Sequence, residues 1–540
     1  MVSLAAVVLT AVAYFGVQVH HATRQRLLSG LAHRPAPSSG NGHNFTARGL
    51  LRGGRIMLQD NGGASESEIP GGNTSAFEMA YTDFYNRPIP SALVDKWWLY
   101  AESHNCSTEP SHYANVDHQL ESFRSQQTYT RPGITNEMVE SAANAQRTVL
   151  WQVKKGELSH VRGDVYFWGS GPWRNELLGP IAALLPDMLI ATNLLDEPRA
   201  LRPANESIER PGRVAFVGGS AAEAIRPSCP NETALYESTV GFFVSPATFD
   251  ARRGLLPILS RTRVSPCFVD IVSSFYPGEW APRSEPLTRW EDKVGKLVWR
   301  GSNTGCQWTN ANDLLWKCER GRLVKLFGQN NKNATLKDVG DEMRAHGLLS
   351  DQDKWPSGKW ASSRVGDLFD VAMTGYGQCS TPSICSQLES VLGTAKPMPV
   401  EGYFDYKYVL HVDGNSYSRR LVSLLRSNSL VFISTAFETW MDGWLQPWVH
   451  FVSVSPSLTD LPSKLLWALE HDDEARQIAQ TAQGFAASHL RPVDFSCYLA
   501  WLLIEYESLF RPRQRPRDPG PSMSQGGILR HLKISRPSRV

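Results

Sequence analysis

A glycine turn flanked by amide and hydroxyl side chains divides the segment KYVLHVDGNSYSRRLVSLLRSNSLVF, residues 407–432. The hydrophobic pattern predicts a strand, a tight turn at Gly414, a helix and a second strand. The side chains that could cap the start of this helix are Asn415, Ser416 and Ser418. The segment therefore predicts a helix start, rich in hydrogen-bond donors, next to the end of a strand.

Two arginines, Arg419 and Arg420, fall in the first turn of this predicted helix. Basic side chains oppose the helix dipole there, so a helix with a purely structural role would usually lack them. A bound anion would reverse that preference. Free N–H groups, serine hydroxyls and a guanidinium together suit a diphosphate. A surface helix with solvated arginines is the alternative interpretation.

A second polar turn follows the predicted strand in KLVWRGSNTG, residues 296–305. This strand ends in Arg300, Gly301 and Ser302. Open α/β sheets bind their ligands at the carboxyl ends of strands, so Ser302 is a candidate ligand contact. The alternative is an ordinary Gly–Ser turn.

The segment LLPDMLIATNLLDEPR, residues 184–199, carries a carboxylate on each side of a predicted strand. Asp187 precedes the strand and Asp196 follows it. A carboxylate at a strand end in a cleft can act as a general base. The alternative for Asp196 is a loop carboxylate paired with Arg199.

Three other motifs fit a metal-binding, catalytic or dinucleotide-binding role less well. The DQD sequence at 351–353 has the DxD form that holds a divalent metal between phosphates, but no clear strand precedes it, and we interpret it as a surface loop. His450 lies in an apolar segment and is interpreted as a buried structural histidine. The glycine sequences at 169–171 and 217–220 lack the GxGxxG spacing of a dinucleotide-binding turn.

Short apolar runs alternate with helical patterns along the middle of the chain. The candidate strands are rich in β-branched and aromatic residues: VYFW (165–168), LIAT (189–192), VAFV (214–217), KLVW (296–299), YVLHV (408–412), LVFIS (430–434) and HFVSV (450–454). Residues 473–490 place Ile478, Ala482 and Phe485 on one helical face. This alternation predicts an α/β fold with parallel sheets and a domain boundary near 285–295.

Composition narrows the class of protein. A chain of 540 residues with a net charge of +2 fits two domains with flanks and lacks the charge of a nucleic-acid-binding protein. The eight cysteines include no CxxC pair, which argues against a zinc ribbon and for disulfides, with buried free thiols as the alternative. N-glycosylation sequons occur at Asn44, Asn73, Asn105, Asn205, Asn231 and Asn333. Disulfides and sequons together indicate the secretory pathway.

The two ends of the chain differ in composition from the middle. Residues 1–19 contain no charged side chain and are predicted to be a membrane anchor, with a cleaved signal peptide as the alternative. Arg24 and Arg26 follow this segment, and the positive-inside rule would keep the rest of the chain in the cytosol, against the sequons. Residues 20–90 are predicted to be a flexible stem and residues 511–540 a disordered basic tail.

Four motifs, taken in order, resemble those of glycosyltransferase family 90. They are RGS at 300–302, KYxxxxDGxxxSxR at 407–420, PWVHFVSV at 447–454 and DFSCYLAWLL at 494–503. The resemblance runs from about residue 180 to 510. The family includes fungal capsule-associated xylosyltransferases and animal protein O-glucosyltransferases, and the NLLDEPR and GSNTG sequences look closer to the fungal branch.

The resemblance implies a GT-B fold, in which two Rossmann-like domains face each other across a cleft. Here these would be an acceptor-side domain at 91–290 and a UDP-sugar-binding domain at 291–490, followed by a closing helix at 491–510. An inverting reaction without a metal or cofactor is also implied. By position, Asp196 matches the catalytic base. The positions matching donor contacts are Ser302, Arg320 (with Arg322 as the alternative), Ser416, Tyr417, Ser418, Arg419 and Arg420.

The predicted function is therefore transfer of a sugar from a UDP-sugar to a hydroxyl group of a glycan or protein, in the lumen of the Golgi or endoplasmic reticulum. The fungal resemblance favours UDP-xylose, and the animal branch offers UDP-glucose. A catalytically inactive, membrane-anchored lectin-like or scaffolding protein is the second hypothesis. We also expect Cys497 to pair with Cys106, and Cys379 with Cys385.

Overall fold

A computed structural model describes residues 71–164, 173–204, 212–215, 220–275 and 288–513, all within one unit, Pro70–Val540. Several sequence predictions lie outside the described residues: the anchor at 1–19, the stem up to residue 70, the VYFW strand, the end of the VAFV strand and the tail from residue 514. Within the described ranges, no helix is long and apolar enough to cross a membrane.

The strands of the described chain are β1 (Thr148–Lys154), β2 (Glu157–Arg162), β3 (Met188–Asn193), β4 (Ala200–Leu201), β5 (Gly212–Ala215), β6 (Asp250–Arg253), β7 (Ile258–Ser260), β8 (Ile271–Val272), β9 (Val294–Ser302), β10 (Phe369–Gly375), β11 (Tyr406–Val412), β12 (Leu430–Ser434) and β13 (Val452–Ser453). Its α-helices are Gly71–Tyr85, Trp98–His104, Ala114–Arg124, Asn136–Ala142, Gly179–Ile181, Ala222–Ile225, Pro230–Tyr236, Gly241–Val244, Ala311–Lys317, Glu319–Phe327, Leu336–Ala345, Val365–Leu368, Pro382–Leu392, Leu421–Leu425, Leu461–Glu470, Asp472–His489 and Pro492–Ser508. The predicted helix at 473–490 is confirmed.

The first half of the chain contains a mixed sheet of order β2-β1-β3-β7-β8. Strands β3, β7 and β8 are parallel, but β1 and β2 form an antiparallel hairpin whose first strand pairs antiparallel with β3. The expected parallel pairing is confirmed for β3, β7 and β8, and the antiparallel β1–β2 hairpin is an addition that the sequence did not predict. The hairpin turn consists of Lys155 and Gly156, with φ of 52° and 77°, as in the two-residue turns that match the twist of a hairpin.

The second half contains a fully parallel sheet of order β10-β9-β11-β12-β13. Counted from β9, this is the 2-1-3-4-5 order of doubly wound folds, in which the chain changes direction across the sheet between β9 and β11. Strand β11 pairs with β9 only as far as Val409 opposite Val298, whereas β9 continues to Ser302. The two strands thus separate at their carboxyl ends, at the position where such sheets bind ligands.

The last helix, Pro492–Ser508, joins the beginning and end of the described chain. It is buried from Asp494 to Glu507, and the ring of Trp501 stacks on Tyr113 at 4.2 Å and contacts Trp97 edge-on at 4.8 Å. The first helix, Gly71–Tyr85, buries Phe77 and Tyr81 in the same cluster. Prediction of a flexible stem up to residue 90 is therefore wrong from residue 71 onward, because aromatic side chains anchor this segment to the core.

All eight cysteines are paired. The expected Cys106–Cys497 and Cys379–Cys385 disulfides are confirmed, and Cys229–Cys267 and Cys306–Cys318 complete the set. The alternative of buried free thiols is excluded. Three sequon asparagines, Asn105, Asn231 and Asn333, are exposed, as N-glycosylation requires.

Candidate active site

Asp196 lies in the turn that follows β3 of the mixed sheet. Its side chain is 43% exposed, and its Oδ1 lies 3.3 Å from Nη1 of Arg261 and 3.9 Å from Nη2 of Arg419. The expected alternative partner, Arg199, does not pair with it. Instead Arg199 is buried and donates to the side-chain oxygen of Asn193 and the carbonyl of Asp250. Asp196 therefore keeps an accessible carboxylate beside two guanidinium groups.

Arg261 comes from the adjacent strand end. Strands β3 and β7 are parallel neighbours, so the residues that follow them lie along one edge of the sheet. The guanidinium of Arg261 reaches the carboxylate of Asp196, while the hydroxyl of Thr262 donates to the carbonyl of Asp196 at 3.2 Å. Sequence reasoning missed this arginine, because 65 residues separate it from Asp196.

Arg420 lies in the gap between the separated carboxyl ends of β9 and β11, which we call the split. Its Nη1 donates to the carbonyl of Arg300 at 2.6 Å and to the hydroxyl of Tyr403, and its guanidinium lies 5.3 Å from the centre of the Tyr403 ring. That hydroxyl also bonds the carbonyl and the amide of Arg300, at 2.7 and 2.9 Å. Tyr403 was not identified from the sequence. Its hydroxyl thus forms hydrogen bonds with backbone groups of β9 that do not pair with β11.

The loop from Gly414 to Arg420 differs from the sequence prediction. The helix that follows begins only at Leu421 and has five residues, so Arg419 and Arg420 precede it and no side chain caps it. Ser418 accepts a hydrogen bond from Nε of Arg420 at 3.3 Å. The predicted start of the helix near Asn415 is therefore wrong, and anion binding in this loop would depend on its arginines, hydroxyls and backbone N–H groups.

Two asparagines tie the three loops at the carboxyl ends of β9, β10 and β11. Oδ1 of Asn415 accepts from the amide of Gly305 at 3.0 Å and from the side chain of Gln378 at 2.9 Å. Oδ1 of Asn303 accepts from the amide of Gly377 at 2.9 Å. Asn415 is thus a bridge between loops rather than the helix cap that its position predicted. These bonds hold the proposed site on a rigid frame.

Arg320 lies beneath this loop, within the same split. Its buried guanidinium donates to the carbonyl of Asp413 at 2.7 Å and to the carbonyl of Ser302 at 3.0 Å. A Cβ atom on Gly414 would lie 2.9 Å from Nη2 of Arg320, so glycine allows this close approach. Arg322, the alternative, instead donates to carbonyls that include those of Trp316, Thr239 and Ser457. The structure thus brings Arg320 next to Ser302.

Positive charge dominates the interior of the split. Burial and then the charge of Arg420 lower the pKa of Arg320 to about 10. Burial, Arg420 and Arg320 lower the pKa of the neighbouring His411 to about 3, so this imidazole is neutral. Burial, followed by repulsion from Glu319, raises the pKa of Asp413. A neutral histidine and a carboxyl with reduced ionisation leave the arginine charges available to an anion.

A cavity of about 220 Å³ lies behind the loop, lined by His411, Tyr417 and Asp442 among others. The hydroxyl of Ser416 and Nδ1 of His411 are buried in this region and have no hydrogen-bond partner within the described part of the chain. Buried polar atoms usually have such partners. These two atoms are therefore open to a ligand group or water.

The competing motifs do not form sites. The DQD sequence at 351–353 lies in an exposed turn, where Asp353 accepts hydrogen bonds from the amide and hydroxyl of Ser350. The described residues contain no group of three or more His, Cys, Asp or Glu that could hold a metal ion. His450 is buried and satisfied, as predicted, by accepting from the amide of Gln446 at 3.0 Å, although it precedes β13 rather than lying within it.

Comparison with known proteins finds a family model that matches part of the chain. The model for glycosyl transferase family 90 matches residues 370–521, which include the 414–420 loop and the last helix. This part of the chain is thus similar to that family. The chain is 39% identical to protein O-glucosyltransferase 2 of Danio rerio over 232 residues, which are 42% of the chain and 36% of the relative.

Other matches cover similar shares. Protein O-glucosyltransferase 3 of Homo sapiens is 34% identical over 179 residues, which are 32% of this chain and 34% of the relative. The match thus spans about a third of the length of these curated relatives. Among solved structures, Anabaena Alr3699/HepE in complex with UDP-glucose aligns over 41% of this chain and 50% of that one, with 12% identity and a TM-score of 0.23.

Proposed function

We propose that this protein transfers a sugar from a UDP-sugar to a hydroxyl group, with Asp196 as the general base and Arg420 as the main contact of the leaving diphosphate. The observation that carries the proposal is the approach of Asp196 to Arg419, at 3.9 Å. This contact joins the end of a strand in one sheet to the loop after β11 in the other. An acceptor held beside Asp196 would then meet a donor held in that loop.

The chemistry follows from these positions. Asp196 takes the proton of the acceptor hydroxyl while its oxygen attacks the anomeric carbon and the bond from that carbon to the β-phosphate oxygen breaks. UDP leaves with one additional negative charge. Arg420 and Arg419 offset this charge from the loop, and the buried guanidinium of Arg320 adds to the local positive potential. A single displacement of this kind inverts the configuration of the sugar, and the arginines provide the charge that a metal provides elsewhere.

Two features support the choice of donor and compartment. The curated relatives are named protein O-glucosyltransferases, which favours UDP-glucose over the UDP-xylose suggested by the fungal resemblance. Four disulfides and three exposed sequons favour a lumenal protein of the secretory pathway. We further propose the two-domain GT-B arrangement, in which the mixed and the parallel sheet face the cleft from opposite sides.

The experiment is turnover of the full-length chain with a panel of UDP-sugars and both glycan and peptide acceptors, read as release of UDP. We expect activity with UDP-glucose, lower activity with UDP-xylose, and loss of both in Asp196→Asn. No turnover with any donor, combined with retained binding of UDP, would overturn the proposal and favour an inactive lectin-like or scaffolding protein.

A further inference from the structure

We propose that Arg261 is a positioning residue for the general base: it holds Oδ1 of Asp196 and directs Oδ2 toward the acceptor hydroxyl. This inference rests on the proposed function, because it assigns a role to a neighbour of the proposed base. It concerns a residue outside the motifs that carried the family resemblance.

The contacts fix Asp196 at two points. Nη1 of Arg261 lies 3.3 Å from Oδ1, and the hydroxyl of Thr262 donates to the carbonyl of the same aspartate at 3.2 Å. Both groups follow β7, whose residues Ile258 and Leu259 pair with β3 immediately before the Asp196 turn. A carboxylate held by a sheet edge in this way loses little orientational freedom when an acceptor binds.

Arg261 itself is anchored deep in the protein. Its side chain is 5% exposed, and the guanidinium lies 5.1 Å from the centre of the Phe275 ring. Its Nε is buried and has no hydrogen-bond partner in the described ranges. Arg322, by contrast, is buried with its nitrogens on backbone carbonyls. A buried cation is costly for stability unless it is paired, and Arg261 forms an ion pair with the partly exposed Asp196.

The pair formed by Asp196 and Arg261 is surrounded by other charged and ionisable groups. Asp196 is faced by the guanidiniums of Arg261 and Arg419 and by the carboxyl of Glu197, and Arg261 is faced in addition by the phenol of Tyr417. Removing the guanidinium of Arg261 would leave only the backbone contact from Thr262 to hold Asp196 at this strand end.

The test is the separate effect on kcat and on KM in full-length Arg261→Gln and Arg261→Lys. We expect Arg261→Gln to lower kcat about 10- to 100-fold with little change in the KM for the donor. Arg261→Lys retains the charge but not the planar fork, so we expect its kcat to lie between those of Arg261→Gln and wild type.

Arg263→Gln and Arg263→Lys are the matched controls. Arg263 is equally buried and follows the same strand, but its Nε pairs with Glu438 at 2.6 Å rather than with Asp196. Control variants with a kcat near that of wild type, and Arg261 variants that bind UDP normally, separate positioning from loss of fold. A wild-type kcat in Arg261→Gln, or a wild-type kcat in Arg261→Lys if the glutamine variant does not fold, would overturn the inference. Loss of activity in Asp196→Asn alongside that result would leave the proposed function intact.

Discussion

Oδ1 of Asp196 and Nη2 of Arg419 lie 3.9 Å apart, although the two residues follow strands of different sheets. Asp196 follows β3 of the mixed sheet and Arg419 lies in the loop after β11 of the parallel sheet. A negatively charged donor in that loop would compete with Asp196 for Arg419. Donor binding would then free the carboxylate for the acceptor.

Asp196→Asn tests the assignment of the base. The amide has nearly the same shape but cannot take a proton, so turnover should fall by about 10²- to 10⁴-fold. Binding of UDP should persist, because the proposed diphosphate contacts lie in the loop after β11 of the parallel sheet. Radiolabelled sugar transfer and calorimetric titration of UDP measure the two properties. Turnover near the wild-type rate would remove Asp196 from the mechanism.

Substitution of Arg420 should weaken UDP binding as well as turnover, because the product carries the same diphosphate. Loss of a charged hydrogen bond corresponds to about a 10- to 100-fold loss of affinity for Arg420→Ala. Arg420→Lys should be intermediate, since it keeps the charge and loses the fork. Equal UDP affinity in wild type and Arg420→Ala would exclude Arg420 from the donor site.

Tyr403→Phe is the matched control for Arg420, since Arg420 also donates to the Tyr403 hydroxyl and to the carbonyl of Arg300. The substitution removes the hydroxyl that forms hydrogen bonds with the β9 backbone, and it keeps the aromatic ring and Arg420. We expect a lower melting temperature with a smaller loss of UDP affinity than in Arg420→Ala. The same loss in both variants would show that Arg420 acts through the backbone of β9.

Gly414→Ala tests the packing of Arg320 under the loop. The added Cβ would lie 2.9 Å from Nη2 of Arg320 and 3.0 Å from the hydroxyl of Thr304, so the guanidinium must move. Crowding of this kind costs about 1–3 kcal/mol of unfolding free energy, and we expect weaker UDP binding with it. Gly377→Ala is the control, because nothing lies within 4 Å of its added Cβ. Unchanged UDP affinity in Gly414→Ala would argue against a role for this close contact.

Much of the fold was predictable because buried parallel strands appear in sequence as short apolar runs. KLVW, YVLHV and LVFIS all lie in strands of the parallel sheet, and LIAT lies in β3. HFVSV contains only the two-residue β13, since its first residues form a turn in which His450 is buried. The β1–β2 hairpin was missed, because its turn residues Lys155 and Gly156 resemble an ordinary charged segment.

The site was predictable where motifs are local and not where contacts are long-range. Ser302 ends β9 and Arg420 follows the neighbouring β11, an adjacency that the strand pattern could suggest. Arg320 reaches the carbonyl of Ser302 from the helix Glu319–Phe327. Arg261 reaches Asp196 only through the pairing of β3 with β7, and no spacing within the sequence encodes that neighbour. The start of the helix at Leu421 was mispredicted because Asn415 bonds to two other loops instead of capping it.

Chelation tests the charge balance of the proposed reaction. Arg419, Arg420 and Arg320 provide three guanidinium groups around the proposed diphosphate site, enough to offset the charge of departing UDP. Activity of the full-length protein should therefore survive EDTA. Loss of activity that manganese restores, and that disappears again in an Asp351→Asn and Asp353→Asn double variant, would favour a metal-dependent mechanism at the DQD sequence.

Glu197→Gln should alter the pH dependence of stability. Glu197 is buried beside Asp196, and burial raises its pKa from 4.5 to about 7, against the opposing effect of Arg199. The folded protein therefore holds a proton that the unfolded chain releases near pH 4.5. The stabilisation by this neutral carboxyl is complete below pH 4.5 and is lost as the pH rises to about 7, an upper bound of about 3 kcal/mol.

Glutamine removes this dependence, because it stays neutral and its side-chain oxygen can still accept from the amide of Thr248, as Oε1 of Glu197 does at 3.3 Å. The difference in melting temperature, Glu197→Gln minus wild type, should therefore be more positive at pH 8 than at pH 5. Glu223→Gln, at an exposed position, controls for the loss of a negative charge. If the difference between Glu197→Gln and wild type does not change between the two pH values, Glu197 is already ionised at pH 5 and its burial does not raise its pKa.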